Sequence, residues 1–203
     1  MEDILYDRNN GYSNPIYTTG FNNHQLEIDS NDIITFKNQP SGFSFASDIF
    51  VYHIPTSTLT QLTNTPSIIE SQPHLAYMAP GISSLIFNED ETNLAPYVII
   101  GGNIQPSYPQ LPYFSQNFIS FADLQYIPNQ NVLQILYTIV TLPPPIEIYL
   151  HKNTLGTTQI TLFRIPTSQF IYADAGGVDG NNVVFIGVQS GTTTAQAAVS
   201  QCI

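Results

Sequence analysis

The chain has 203 residues, enough for one large domain or two small ones with a sizeable core. Charged residues make up only 9% of it, and four basic side chains leave a net charge of −11. Arg8, Lys37, Lys152 and Arg164 are scattered, so the Lys/Arg clusters that nucleic acid or an anionic membrane requires are missing.

The polar content is Asn, Gln, Ser and Thr, with 12 Tyr. That composition suits an extracellular, virion, or spore- or cell-surface environment, and the compartment itself stays unknown. "MEDILYDRNN" has neither a basic region nor an apolar run, so no signal peptide is expected. No apolar stretch reaches the ~20 residues of a membrane span. Cys202 stands alone, which excludes an internal disulfide; a tail residue or an intermolecular disulfide remains.

In chain order the signals are those of short strands. Val, Ile, Thr, Tyr and Phe runs alternate with Pro, Gly, Asn and Ser. "DILY" from Asp3 is followed by "NPIYTTG", then the turn "DSND" (29–32) and "IITF" ending at Phe36. "DIFVY" from Asp48 leads to "TLTQLTN", "APG" (79–81) and "SLIF" ending at Phe87. "PYVII" from Pro96 leads to "GGNIQPSYPQLPYF", "PNQN" (128–131) and "QILY" ending at Tyr137. After the stiff connector "TLPPPI" (141–146) come "EIYL" from Glu147, "TTQITLF", "GVDGNN" (177–182) and "NVVF" ending at Phe185. The run 131–140 is the nearest helix candidate, and its β-branched and aromatic content favours a buried strand.

Two landmarks therefore keep one period. The aromatic strand ends lie 51, 50 and 48 residues apart, and the starts at 3, 48, 96 and 147 lie 45, 48 and 51 apart. This predicts a single all-β domain over 1–203, built from four repeats of about 50 residues at 3–47, 48–95, 96–146 and 147–203. A β-sandwich or jelly roll without repeats is the alternative.

The segment 47–87, "SDIFVYHIPTSTLTQLTNTPSIIESQPHLAYMAPGISSLIF", resembles one unit of the TolB-type β-propeller repeat. The matching positions are Asp48, Ile49, Leu62, Thr63, Pro73, Pro80, Gly81, Ile86 and Phe87. "GVDGNNVVF" resembles the "SPDG…IxF" part of that unit through Asp179, Gly180, Val184 and Phe185. "MAPGIS" replaces the acidic turn in the second unit, the third lacks its glycine, and no Trp occurs. The resemblance implies a β-propeller-like fold, with the Ile-x-Phe strands packed between blades. Because the chain starts mid-unit, it also implies closure by the two termini. Dimerisation of two half-rings into a larger homo-oligomer stays open.

Candidate chemistry is sparse. His24, His53, His74 and His151 form no zinc-spaced pair. "NEDET" (88–92) reads as a solvated acidic loop. "DAGGVDGNN" (174–182) offers Asp174, Asp179 and Asn181 as weak Ca²⁺ ligands, although the spacing departs from the EF-hand pattern. "GGN" (101–103) and "SGTTT" (190–194) read as turns, and no nucleophile–base set emerges from spacing. No catalytic residue and no cofactor is expected. The leading expectation is a non-catalytic propeller-like binding or scaffold module that contacts a protein or carbohydrate. A structural subunit of a virion, spore coat or surface assembly is the alternative, and a propeller hydrolase or lyase is third.

Overall fold

A computed structural model describes residues 3–7, 12–17, 22–39, 46–107, 118–140, 146–165, 167, 169–189 and 191–201. Cys202 and residues 108–117 and 141–145 lie outside the described residues.

Within them the chain forms five antiparallel sheets in sequence order. The first is a hairpin of β1 (Asp3–Asp7) and β2 (Tyr12–Tyr17). Sheet I holds β3 (Asn22–Ile28), β4 (Ile33–Gln39), β5 (Asp48–His53) and β6 (Thr58–Gln61). Sheet II holds β7 (Glu70–Ala79), β8 (Ile82–Glu89), β9 (Asn93–Ile100) and β10 (Asn103–Pro106). Sheet III holds β11 (Phe118–Ile127), β12 (Val132–Val140), β13 (Ile146–Thr154) and β14 (Ile160–Ile165). Sheet IV holds β15 (Phe170–Asp179), β16 (Asn182–Gln189) and β17 (Ala195–Gln201). A short 3₁₀ turn, Ile54–Thr56, links β5 to β6.

Each sheet is a plain meander with consecutive strands as neighbours. No crossover joins two stacked sheets among the described residues, as a Greek-key sandwich would require. The architecture is all-β and propeller-like. The landmark strands take equivalent places: β4, β8, β12 and β16 are second in their sheets, and β5, β9 and β13 are third.

The sheets stack through three apolar interfaces in series. Ile33 and Val51 of sheet I meet Leu85 and Ile99 of sheet II. Ala76, Ile86 and Leu94 of sheet II meet Ile119, Ile135 and Tyr137 of sheet III. Leu136, Ile148 and Leu150 of sheet III meet Ala173, Val183 and Phe185 of sheet IV. Strand alternation accounts for this sharing. On β8, Leu85 faces sheet I while the adjacent Ile86 faces sheet III. The expected role of the Ile-x-Phe strands between blades is therefore met. Each fully buried aliphatic or aromatic side chain contributes about 1.5–3 kcal/mol.

β16 departs from its counterparts. Val183 and Phe185 are buried, while Val184 and Ile186 alternate with them and are exposed, opposite Val199 and Ala197 of β17. The expected closure by the two termini is not seen among the described residues. β17 occupies the place beside β16 that a returning N-terminal strand would take, and β1 pairs only with β2.

The motif residues of 47–87 now have structural roles. Asp48 accepts the Thr65 N–H at 3.1 Å and the Gln61 side-chain amide at 3.1 Å. Thr63 Oγ1 accepts the Ile49 N–H at 2.9 Å and donates to Glu70. Thr65 Oγ1 also donates to Glu70, at 2.7 Å. These bonds tie the end of sheet I to the first residue of β7.

Candidate functional site

The first strand of each sheet is an edge strand, and each carries a β-bulge. The register shifts fall between His24 and Glu27, between Ser71 and His74, between Phe121 and Asp123, and between Ala175 and Gly177. Such bulges re-aim side chains and are common beside functional sites. Gln25 and Gln72 sit at the first two bulges with φ of 56° and 52°. Non-glycine residues in this region carry a strain of about 1–3 kcal/mol.

The re-aimed side chains reach across to the next sheet. Gln25 Oε1 accepts the Gln72 N–H at 2.7 Å, and Glu27 Oε2 accepts the Leu75 N–H at 2.6 Å. Gln72 Oε1 accepts the Phe121 N–H at 2.7 Å. Asp123 Oδ2 accepts the Val178 N–H at 2.8 Å, and Gln125 Oε1 accepts the Gly180 N–H at 2.9 Å. One device thus recurs at all three sheet–sheet boundaries.

His74 belongs to this edge. Its Nδ1 lies 2.5 Å from Glu27 Oε1. An ionised carboxylate only accepts, so Nδ1 is the donor of this bond. The ring meets Phe121 edge-on at 4.6 Å between centroids. His74, Phe121, Gln25, Glu27 and Gln72 line a pocket of about 310 Å³. Gln72 is shared with a second pocket of about 200 Å³, lined also by Ser71, Asn88, Glu91 and Ser120. Gln72 Nε2 donates to Ser120 Oγ at 3.3 Å.

The other predicted residues lie elsewhere. Asp174 and Asp179 are five positions apart on β15, roughly 16 Å along a strand. Asp174 accepts the Thr138 hydroxyl at 2.9 Å, and Asn181 accepts Lys152 Nζ at 2.5 Å. The fold does not bring this trio together. No group of three or more His, Cys, Asp or Glu is placed to hold a metal among the described residues. His53 Nδ1 bonds Thr56 Oγ1 at 2.8 Å, against the β9–β10 turn. His151 is buried on β13 with neither ring nitrogen hydrogen-bonded, and burial pushes its pKa down. The side chain of His24 lies outside the described residues. "GGN" forms the β9–β10 turn, and "NEDET" spans the β8–β9 turn. Asn88 and Glu91 in the latter face a pocket, so it is not simply a solvated loop.

Sequence reasoning passed over Gln25, Glu27, Gln72 and Ser120, and took Asn88 as part of a solvated loop. A signal was present: polar residues at i and i+2 recur at Gln25/Glu27, Gln72/His74 and Asp123/Gln125. It is a pattern of hydrogen-bonding capacity and not of residue identity.

No family model matches the chain, and no curated protein matches it. Among solved structures it is similar to a chain from a structural and mechanistic study of two prolyl endopeptidases, with a TM-score of 0.46 and 10% identity. The match covers 94% of this chain and 30% of that one, so this chain spans less than a third of that protein's length. A likeness at that level carries no argument about activity. No helix among the described residues is long and apolar enough to cross a membrane.

Proposed function

We propose that this protein is a non-catalytic, propeller-like binding module that holds a protein or carbohydrate segment along its bulged edge. One observation carries the reading. The bulges gather amides, a carboxylate, an imidazole and an aromatic ring into two adjoining pockets that share Gln72. A flat aromatic edge beside fixed hydrogen-bonding groups is a common way to hold a polar segment at low entropic cost. The Glu27 carboxylate and the Phe121 ring already hold the imidazole in place, which supports a preformed site.

Glycan and peptide arrays probed with wild type and with His74→Ala test it. The expected result is a ligand class retained by wild type and lost, by tenfold or more in affinity, in the variant. Ligands bound equally by both proteins sink the reading. A surface-assembly subunit is the second reading, favoured by the exposed Val184, Ile186 and Val199 on sheet IV. Light scattering after size exclusion decides it: ordered particles support assembly, and a monomer or dimer excludes it.

A further inference from the structure

The pocket of about 310 Å³ beside His74 is lined by Gln25, Glu27, Gln72, Pro73, His74 and Phe121. That size is at the small end of ligand pockets and suits a single ring. Pro73 and Phe121 are buried, so the apolar part of the wall offers little surface to a ligand.

The polar part has donors and acceptors to spare. Gln25 Oε1 accepts the Gln72 N–H, and that bond fixes the amide, because reversing it would set N–H against N–H. Gln25 Nε2 is then left without a partner among the described residues, on an exposed side chain. Gln72 Nε2 has one hydrogen beyond its bond to Ser120. Glu27 spends one lone pair of each carboxylate oxygen, on His74 and on the Leu75 N–H, and its side chain is 33% exposed. His74 Nε2 has no partner among the described residues, and that side chain is 19% exposed. This nitrogen accepts when the ring is neutral and donates when it is charged.

These groups discriminate between ligand classes. An anion meets the Glu27 carboxylate, with no Lys or Arg on the wall. An ammonium meets Glu27 but also the amide hydrogens of Gln25 and Gln72, donors against donors. An extended peptide needs a free strand edge, and the Gln72, Leu75 and Phe121 N–H groups are already spent across the sheet boundaries. A hydroxyl both donates and accepts, so adjacent hydroxyls serve amide, carboxylate and imidazole together without charge.

We propose that this pocket takes one ring of a neutral glycan through two adjacent hydroxyls. One accepts from Gln25 Nε2 and donates to Glu27, and the other bonds His74 Nε2. The proposal deepens the binding-module reading and rests on it, choosing carbohydrate over protein.

The test is a titration of the ¹⁵N-labelled full chain with the methyl glycosides of glucose, mannose and galactose, which cover the common arrangements of adjacent hydroxyls. The His74 ring nitrogens and the Gln25 side-chain amide are followed by NMR. Saturable shifts at both are expected with at least one glycoside. N-acetyl-trialanine methylamide, sodium acetate and methylammonium chloride, at equal pH and ionic strength, are expected to produce none. No saturable shift with any glycoside overturns the proposal, and so does a peptide or ion that shifts both signals as strongly. Gln25→Glu keeps an oxygen for the Gln72 N–H and removes the pocket donor, so glycoside binding is expected to weaken about fivefold or more. Unchanged affinity in that variant overturns the proposal too. The two readings fail separately. Array peptides lost in His74→Ala, with no glycoside binding, remove only the glycan assignment. No His74-dependent array ligand and no glycoside shift remove both.

Discussion

Asp123 on sheet III accepts the main-chain N–H of Val178 on sheet IV at 2.8 Å, across 55 positions of sequence. Its other oxygen accepts the Leu124 N–H, also at 2.8 Å. One carboxylate therefore fixes the bulge on β11 and the docking of β15 together. Asp123→Ala is expected to cost about 2–3 kcal/mol, because two backbone donors lose a charged acceptor. Asp123→Asn, which keeps one acceptor, should cost less. Urea midpoints measure both, and equal losses would mean that the bond to Val178 adds nothing.

His151 carries a pH dependence. Burial lowers its folded pKa below the unfolded value of about 6.5. The folded chain thus resists taking up a proton that the unfolded chain accepts. The stability is intact above about pH 6.5 and is lost as pH falls below it toward the folded value. His151→Leu is expected to flatten this acid-side loss. It should change stability at pH 7.5 by no more than about 1 kcal/mol, since neither ring nitrogen has a partner to lose. Thermal melts at several pH values check it; an unchanged acid slope assigns the effect to other groups.

Glu70 has the opposite sign. Burial raises its pKa, and the charges of Asp48 and Glu89 add to the rise, against the hydroxyls of Thr63 and Thr65. Its contribution is fully present below the ordinary glutamate range and is lost as pH rises through the folded value. Glu70→Gln should therefore melt higher than wild type at pH 7 and no higher at pH 4. A lower melting point at pH 7 would show that the two threonine hydroxyls outweigh desolvation.

Gly102 has φ +83°, and a Cβ there would lie 2.9 Å from His53 Nδ1. Gly102→Ala is expected to cost about 1–3 kcal/mol from the backbone alone, with a steric part added. His53→Ala in the same chain should recover the steric part only. A double-mutant cycle separates the two contributions, and zero coupling would mean that the ring simply moves aside.

Much of the fold was legible because burial on both faces leaves a trace in composition. "SLIF" and "QILY" each carry three consecutive apolar residues, and the neighbours Leu85 and Ile86, like Ile135 and Leu136, face one interface on either side of their sheet. The turns were legible through their Gly, Pro, Asn and Asp. Closure was not legible, because whether β17 or β1 lies beside β16 depends on competing strand pairings that no local signal reports. The site was mostly hidden for a related reason. Gln25 and Gln72 look like ordinary strand-face polar residues, and only the bulges turn them toward the next sheet. Asn88 and Glu91 sat inside an acidic stretch whose composition resembles any solvated turn.

The cross-sheet bonds also mark where motion between sheets is observable. Leu75, Phe121 and Val178 donate their amide hydrogens across a boundary between sheets. Those hydrogens are freed when a cross-sheet bond opens, even if every strand stays paired within its own sheet. Their exchange rates therefore time the breathing between neighbouring sheets, separately from the fraying of any one of them.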